Sequence, residues 1–177
     1  MEGLAKRMIR AAKLDSSLYE EVEADKGALR QATAVVFLAS LAAGVGASAT
    51  DGIAGLLFGT VSSLVGWYVW AFLTYWIGTR FLPEPQTSAD YGELLRTIGF
   101  SSSPGVIRAI GVMPGLTMPV FLAASIWMLA AMVIAVRQAL DYTGTLRAVA
   151  VCAIGWVVQV LVILVLLTLL RGVVGGS

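Results

Sequence analysis

The chain has no histidine, one cysteine and few charges. Without histidine there is no Ser-His dyad, no His-ligated haem, no HExxH zinc site and no imidazole proton relay. The lone cysteine, Cys152, cannot form a disulfide within one chain, and its uncharged surroundings read as core. The only lysines are Lys6, Lys13 and Lys26, all ahead of the first long apolar stretch, so no intramembrane Schiff base is available. An aspartyl protease of the membrane type needs paired Asp in helices. Here Asp51 falls in a turn between apolar stretches and Asp141 in a loop. Charged residues are 13% of the chain and the net charge is +1, which leaves no basic balance for nucleic acid. No enzyme chemistry, metal or cofactor is expected.

What the chain has instead is apolar length. The stretches 31–50, 52–79, 109–136 and 148–170 carry no charge, and each is at least 20 residues long. About 20 apolar residues in a helix cross a hydrocarbon core of ~30 Å. The fold class is therefore all-α, a polytopic transmembrane helical bundle. Ala47-Ser48-Ala49 resembles a signal cleavage site, but the long Glu-rich region ahead of it is wrong for a signal peptide, so the first stretch reads as a retained helix.

Charge is concentrated at the amino end: 12 of the 23 charged residues lie within 1–30. Residues 4–14 read as an amphipathic helix, placed either on the membrane surface or docked against the bundle. Lys6, Arg7, Arg10 and Lys13 share one arc, which makes them candidate contacts to anionic lipid. The sequence then changes sign. Ser17-Leu18-Tyr19-Glu20 has the form of a capping box, and Glu20, Glu21, Glu23 and Asp25 offer an acidic candidate surface for a partner protein.

Within the apolar stretches, Gly55 and Gly59 form a GxxxG pair suited to close helix packing. Trp67 and Trp70 read as core, and Tyr75 and Trp76 as an interfacial belt next to Arg80. Pro83 and Pro85 end that helix, and a short helix along the cytoplasmic face is expected from Asp90. Two polar side chains fall inside the apolar region and are candidate intramembrane contacts: Arg108, and Gln159 at the middle of the last stretch.

Residues 94–115 are ambiguous. Only eleven residues separate Arg96 from Arg108, so the segment reads either as a short span or as a re-entrant hairpin. Counting basic residues does not decide. Five spans leave all but Arg108 and Arg171 inside, and four leave all but Arg137 and Arg147 inside.

Three segments carry a family resemblance. Leu18-Tyr19-Glu20-Glu21-Val22-Glu23-Ala24-Asp25 leads into the first span. Ile98-Gly99-Phe100-Ser101-Ser102-Ser103-Pro104 resembles the Gly-aromatic-Ser…Pro opening of the third span of Yip1-domain proteins. Ile126-Trp127-Met128-Leu129-Ala130-Ala131, with Val136-Arg137-Gln138-Ala139-Leu140, resembles the fourth span and loop of bacterial members. The resemblance implies five spans and a cytoplasmic amino terminus, which breaks the tie. It gives cytoplasmic or interfacial helices over 1–30, a bundle over 31–171 and a tail over 172–177. The spans fall at about 31–50, 54–79, 100–114, 117–137 and 148–170.

Eukaryotic members are linked to Rab GTPases and membrane traffic, but their motif ahead of the first span is replaced here by LYEEVEAD. The expectation is a non-enzymatic scaffold or accessory subunit in a bacterial cytoplasmic membrane. Its partners would be membrane lipids and a protein partner or a second copy, with no nucleic acid. Removal of residues 1–25 is expected to release the partner and leave the bundle folded. The competing expectations are a small-solute transporter or channel component working through Arg108 and Gln159, and a membrane-shaping or lipid-sensing protein.

Overall fold

The computed structural model describes residues 2–174, with the side chains of 48–55, 58, 163 and 165–174 left out of the description. The described residues are helical almost throughout: α1 (Leu4–Ala12), α2 (Ser16–Ala24), α3 (Ala28–Arg80), α4 (Tyr91–Ser101), a 3-10 helix (Ser103–Val112), α5 (Thr117–Ala139) and α6 (Thr145–Val174). Among them, Ala28–Ala47, Thr117–Ala139 and Thr145–Val162 are long and apolar enough to cross a membrane, with mean hydropathies of 1.5, 2.3 and 2.0. Their outward faces carry large apolar side chains such as Met118, Ile126 and Trp156, each more than half exposed. In water such a surface would aggregate, whereas in a bilayer it is the solvated face.

Helix α3 is assigned unbroken over 53 residues, which as a straight rod would measure about 80 Å. It is not straight. A Cβ built on Gly44 would run into the side chain of Leu56, and Gly99 lies against both Ala32 and Trp67. The chain therefore reverses between Gly44 and Leu56, and the two arms of α3 lie antiparallel. Asp51, the expected turn residue, falls among the side chains outside the description.

The ambiguous segment runs beside the first arm of α3 along its length. Gly99 packs on Ala32, Gly105 on Ala39, and a Cβ on Gly46 would strike the carbonyl of Arg108. Contacts advancing in step along both segments describe parallel neighbours and exclude a hairpin folded back on itself. Helix α4 starts at Tyr91 with a complete capping box between Asp90 and Glu93. The short helix expected from Asp90 does begin there, but it continues to Ser101, and all eight residues from Leu94 to Ser101 are buried. Pro104, with no N–H to donate, stands at the start of the 3-10 helix. At three residues per turn, Gly105, Arg108 and Gly111 form one row. Gly105 meets Met128, and Gly111 meets Phe121. The row lets α5 and α3 approach the backbone from both sides.

Helix α2 is part of this core. Leu18, Tyr19 and Val22 are fully buried in a cluster with Val35, Leu94, Phe100 and Val136. The capping box expected at Ser17 is absent. Asp15 is the N-cap and accepts from the Ser17 backbone N–H at 3.0 Å. At the other end of α2, the Arg96 guanidinium donates Nε to the carbonyls of Val22 (3.0 Å) and Glu23 (3.1 Å) and Nη2 to the latter as well. It thereby takes up carbonyls that the end of a helix leaves unpaired.

The amino-terminal helices thus share the core of the bundle, so removal of residues 1–25 is expected to destabilise it as well as to release a partner. Leu18→Ala removes a fully buried side chain and is expected to cost about 2–5 kcal/mol. Unfolding in dodecyl sulfate will show this as a lowered midpoint, and the chain lacking residues 1–25 is expected to unfold earlier in the same assay.

Candidate functional site

Two polar places stand out in an otherwise apolar molecule. The first is where α1 and α2 meet the bundle. Half of the basic arc of α1, Arg7 and Arg10, turns toward acids of the same chain. Leu14, at φ 62°, turns the chain so that α1 and α2 lie against each other with opposite charges facing. Arg7 is only 4% exposed. Its Nη2 donates to Glu21 at 2.7 Å, and its Nη1 donates to Asp25 at 3.1 Å and to Gln31 at 3.0 Å. One guanidinium thus joins α1, α2 and the start of α3. Arg10 donates to Glu2, Asp15 and Glu21, each at 2.8 Å.

Arg7 and Arg10, two of the expected lipid contacts, form ion pairs with acids of their own chain. Contact ion pairs in partly buried surroundings are screened less than charges at the membrane surface. Lys6 pairs with Glu2 at 2.9 Å and stays mostly exposed, and Lys13 is exposed. These two remain on the surface.

The acidic candidate surface is divided in the same way. Glu21 and Asp25 face the arginines. Arg10 and then Arg7 hold the Glu21 carboxyl below the ordinary range, and Arg7 does the same for Asp25. Glu20 is exposed and accepts from Gln138 Nε2 at 2.7 Å. Glu23 looks the other way, into a cleft of about 800 Å³ together with Glu20, Glu93, Asp141 and Arg137. Burial, and then the carboxylates of Asp141 and Glu93, push Glu23 up to about 7 against the pull of Arg96.

Beside this cleft the loops before α4 and after α5 are joined. Thr143 donates to Glu84 at 2.9 Å, Arg147 pairs with Glu84 at 3.3 Å, Thr87 donates to the Leu140 carbonyl at 3.0 Å, and the Tyr142 hydroxyl donates to the Leu82 carbonyl at 2.8 Å. Sequence reasoning missed Arg96, Glu84 and Thr143. Arg96 alone carried a signal, as a single cation inside Leu94-Leu95-Arg96-Thr97-Ile98.

The second place is inside the bundle. Arg108 and Gln159, the two candidate intramembrane contacts, both line one cleft of about 290 Å³ with Ser40, Ser63, Trp67 and Trp70. Arg108 Nη2 donates to the Ser125 hydroxyl at 3.0 Å, and the guanidinium lies 5.4 Å from the centre of the Phe121 ring. Its Nε is buried with no hydrogen-bond partner. Trp67 is buried and donates to the Leu95 carbonyl at 3.1 Å. Of the GxxxG pair, Gly55 lies outside the described residues. Gly59 is exposed, and a Cβ there would meet nothing within 4 Å among the described residues.

The cleft around Glu23 generates a pH prediction. A carboxyl raised to about 7 in the fold contributes stability that is complete below its unfolded value near 4.5 and is lost as pH rises through 7. Glu23→Gln is therefore expected to match wild type at pH 5 and to unfold at a higher temperature than wild type at pH 8. Melting curves of both proteins across that range, subtracted pairwise, isolate this group from acids such as Glu21 that act in the opposite sense.

Among curated proteins and among solved structures, no match to the chain is found. The model of one family does match, the Yip1 domain, over residues 16–167. The matched region begins at the first residue of α2 and ends within α6, so it takes in the buried amino-terminal helix as well as the bundle. On that match this all-helical chain, with its apolar membrane-length helices, is a member of the Yip1 domain family of integral membrane proteins.

Proposed function

We propose that the protein is a non-enzymatic scaffold or accessory subunit that binds a transmembrane helix of a partner, or of a second copy, along the second arm of α3. The observation that carries this reading is an uncovered small-residue face. Gly59, Ser62 and Ser63 are exposed, and Gly66 follows one turn later. A Cβ built on Gly59 or Gly66 meets nothing within 4 Å. Spacings of three and four put these residues on one side of the helix, and small residues so spaced allow helix backbones to approach closely in lipid. Elsewhere in the bundle, positions of this kind are filled by a neighbour, as Gly105 is by Met128.

We further infer five crossings, with α4 and the 3-10 helix together forming the third. At about 1.5 Å and 2 Å per residue, the two pieces give a path of roughly 36 Å. Arg80, Arg137 and Arg147 then share one end of the bundle with Lys26 and Arg30. That end is the cytoplasmic side of a bacterial inner membrane by the positive-inside rule. The lipid-sensing alternative loses its support, because Arg7 and Arg10 are spent on α2.

Gly59→Leu and Ser62→Leu test the proposal. A Cβ at Gly59 meets no described atom within 4 Å and Ser62 is exposed, so the variant monomers are expected to melt as wild type does. Tagged wild type, extracted in mild detergent, is expected to bring down a stoichiometric partner or a second copy, and the variants are expected to lose it. Wild type that runs as a lone monomer, or variants that retain the partner, would refute the reading.

A further inference from the structure

We propose that Arg108 marks a binding site for an anionic phospholipid. The phosphate lies against its guanidinium and the Ser125 hydroxyl, and an acyl chain lies in the groove between α5 and α6. The argument begins with an unbalanced charge. The sequence has no acidic residue between Glu93 and Asp141, and among the described residues no carboxylate pairs with Arg108. Its neighbours are one hydroxyl and one aromatic ring, and its Nε is buried without a partner. Among the described residues the two buried guanidiniums are better matched. Arg7, whose Nε is likewise unpartnered, has two carboxylates and Gln31, and Arg96 has the carbonyls of α2. A cation held among apolar helices without its counter-ion is costly, and an anion brought from outside the chain relieves that cost.

The surroundings select the kind of anion. From Arg108 and Ser125 a groove of about 620 Å³ runs between α5 and α6, past Leu129, Met132, Val149, Ala153 and Trp156. Its walls are apolar, and Leu129 and Trp156 are 53% and 64% exposed, so it opens sideways to where lipid lies. A polar head at one end and an apolar trough at the other match an amphiphile better than a free ion. Arg108 is beside Gly46, near the reversal of α3. Its guanidinium lies over Phe121, about one turn into α5, and on Ser125, about one turn further. The site is thus in the half of the bundle away from α2. Arginine is the side chain suited to phosphate, because its planar fork donates two parallel hydrogen bonds. Neither Gly59 nor Ser62, the positions that test helix docking, lines this groove.

Native mass spectrometry of the full-length protein tests this. The probes are phosphatidylglycerol, phosphatidylcholine with the same acyl chains, and glycerol phosphate without chains. Wild type is expected to bind phosphatidylglycerol roughly tenfold or more tightly than phosphatidylcholine, the size of one charge-assisted hydrogen-bonding group. Arg108→Gln is expected to abolish that preference, Arg108→Lys to keep part of it, and glycerol phosphate to give no retained adduct. Ala153→Trp, which fills the groove and leaves Arg108 in place, is expected to weaken both lipids. Equal binding of the two lipids by wild type, or an undiminished preference in Arg108→Gln, overturns the proposal. Retention of glycerol phosphate as strong as that of the lipid makes this a soluble-anion site and overturns it too. Should Arg108→Gln not fold, the wild-type comparison and Ala153→Trp decide.

Discussion

In a hydrocarbon solvent each backbone N–H and C=O must find its partner inside the chain, and this constraint governs the whole molecule. It explains why the described residues are helical nearly throughout and why the places where helices end are crowded with side-chain donors and acceptors. Arg96 takes the last carbonyls of α2. Asp15 and Asp90 hold the first amides of α2 and α4. Tyr142 reaches the carbonyls of Gly78 and Leu82 where α3 finishes. The 3-10 helix obeys the same rule. Its tighter turn keeps the backbone bonded internally and aligns Gly105, Arg108 and Gly111, which lets α3 and α5 close on it.

Charge is handled by a second, related economy. At the end where α2 sits, the positive residues of α1 are matched by the negative residues of α2, and Glu84 serves Arg147 and Thr143 together. One region of that end is overloaded instead. Glu20, Glu23, Glu93 and Asp141 share a cleft with the single cation Arg137, and the raised affinity of Glu23 for a proton is the result. Toward the opposite end of the bundle the imbalance has the other sign, with Arg108 unpaired by any described carboxylate. A membrane protein with two such opposite imbalances, and with an uncovered small-residue face on α3, has surfaces that its own fold leaves incomplete. That fits a subunit whose environment, lipid and partner helices, completes it.

How much of this could be read from residues alone differs by element. The apolar stretches around Val35, Ile126 and Val157 announced membrane helices, since hydropathy over 20 residues leaves a soluble fold little room. The start of α4 was legible from Asp90 and Glu93, whose side-chain reach is local. The cap of α2 was misread by two residues, because Asp15 and Ser17 both have the chemistry and only the backbone angle at Asp15 separates them. The fate of Lys6, Arg7, Arg10 and Lys13 was legible only as an arc. An arc of cations shows amphipathicity, but not whether lipid or a neighbouring acidic helix faces it.

The sequence by itself determined that this is an all-helical membrane protein and that it carries no histidine chemistry. It also named the two polar side chains, Arg108 and Gln159, that lie within the apolar region. Those conclusions follow from composition and from periodicity along the chain, which are local properties. The tertiary structure alone decided that α2 is core, that residues 94–112 run parallel to the first arm of α3, and that Arg7 is enclosed where Arg108 is left without a carboxylate. Each of those depends on which segments, distant in sequence, come within hydrogen-bonding or van der Waals range. The energy of a charge or a methyl group is set by those neighbours, and sequence order does not list them.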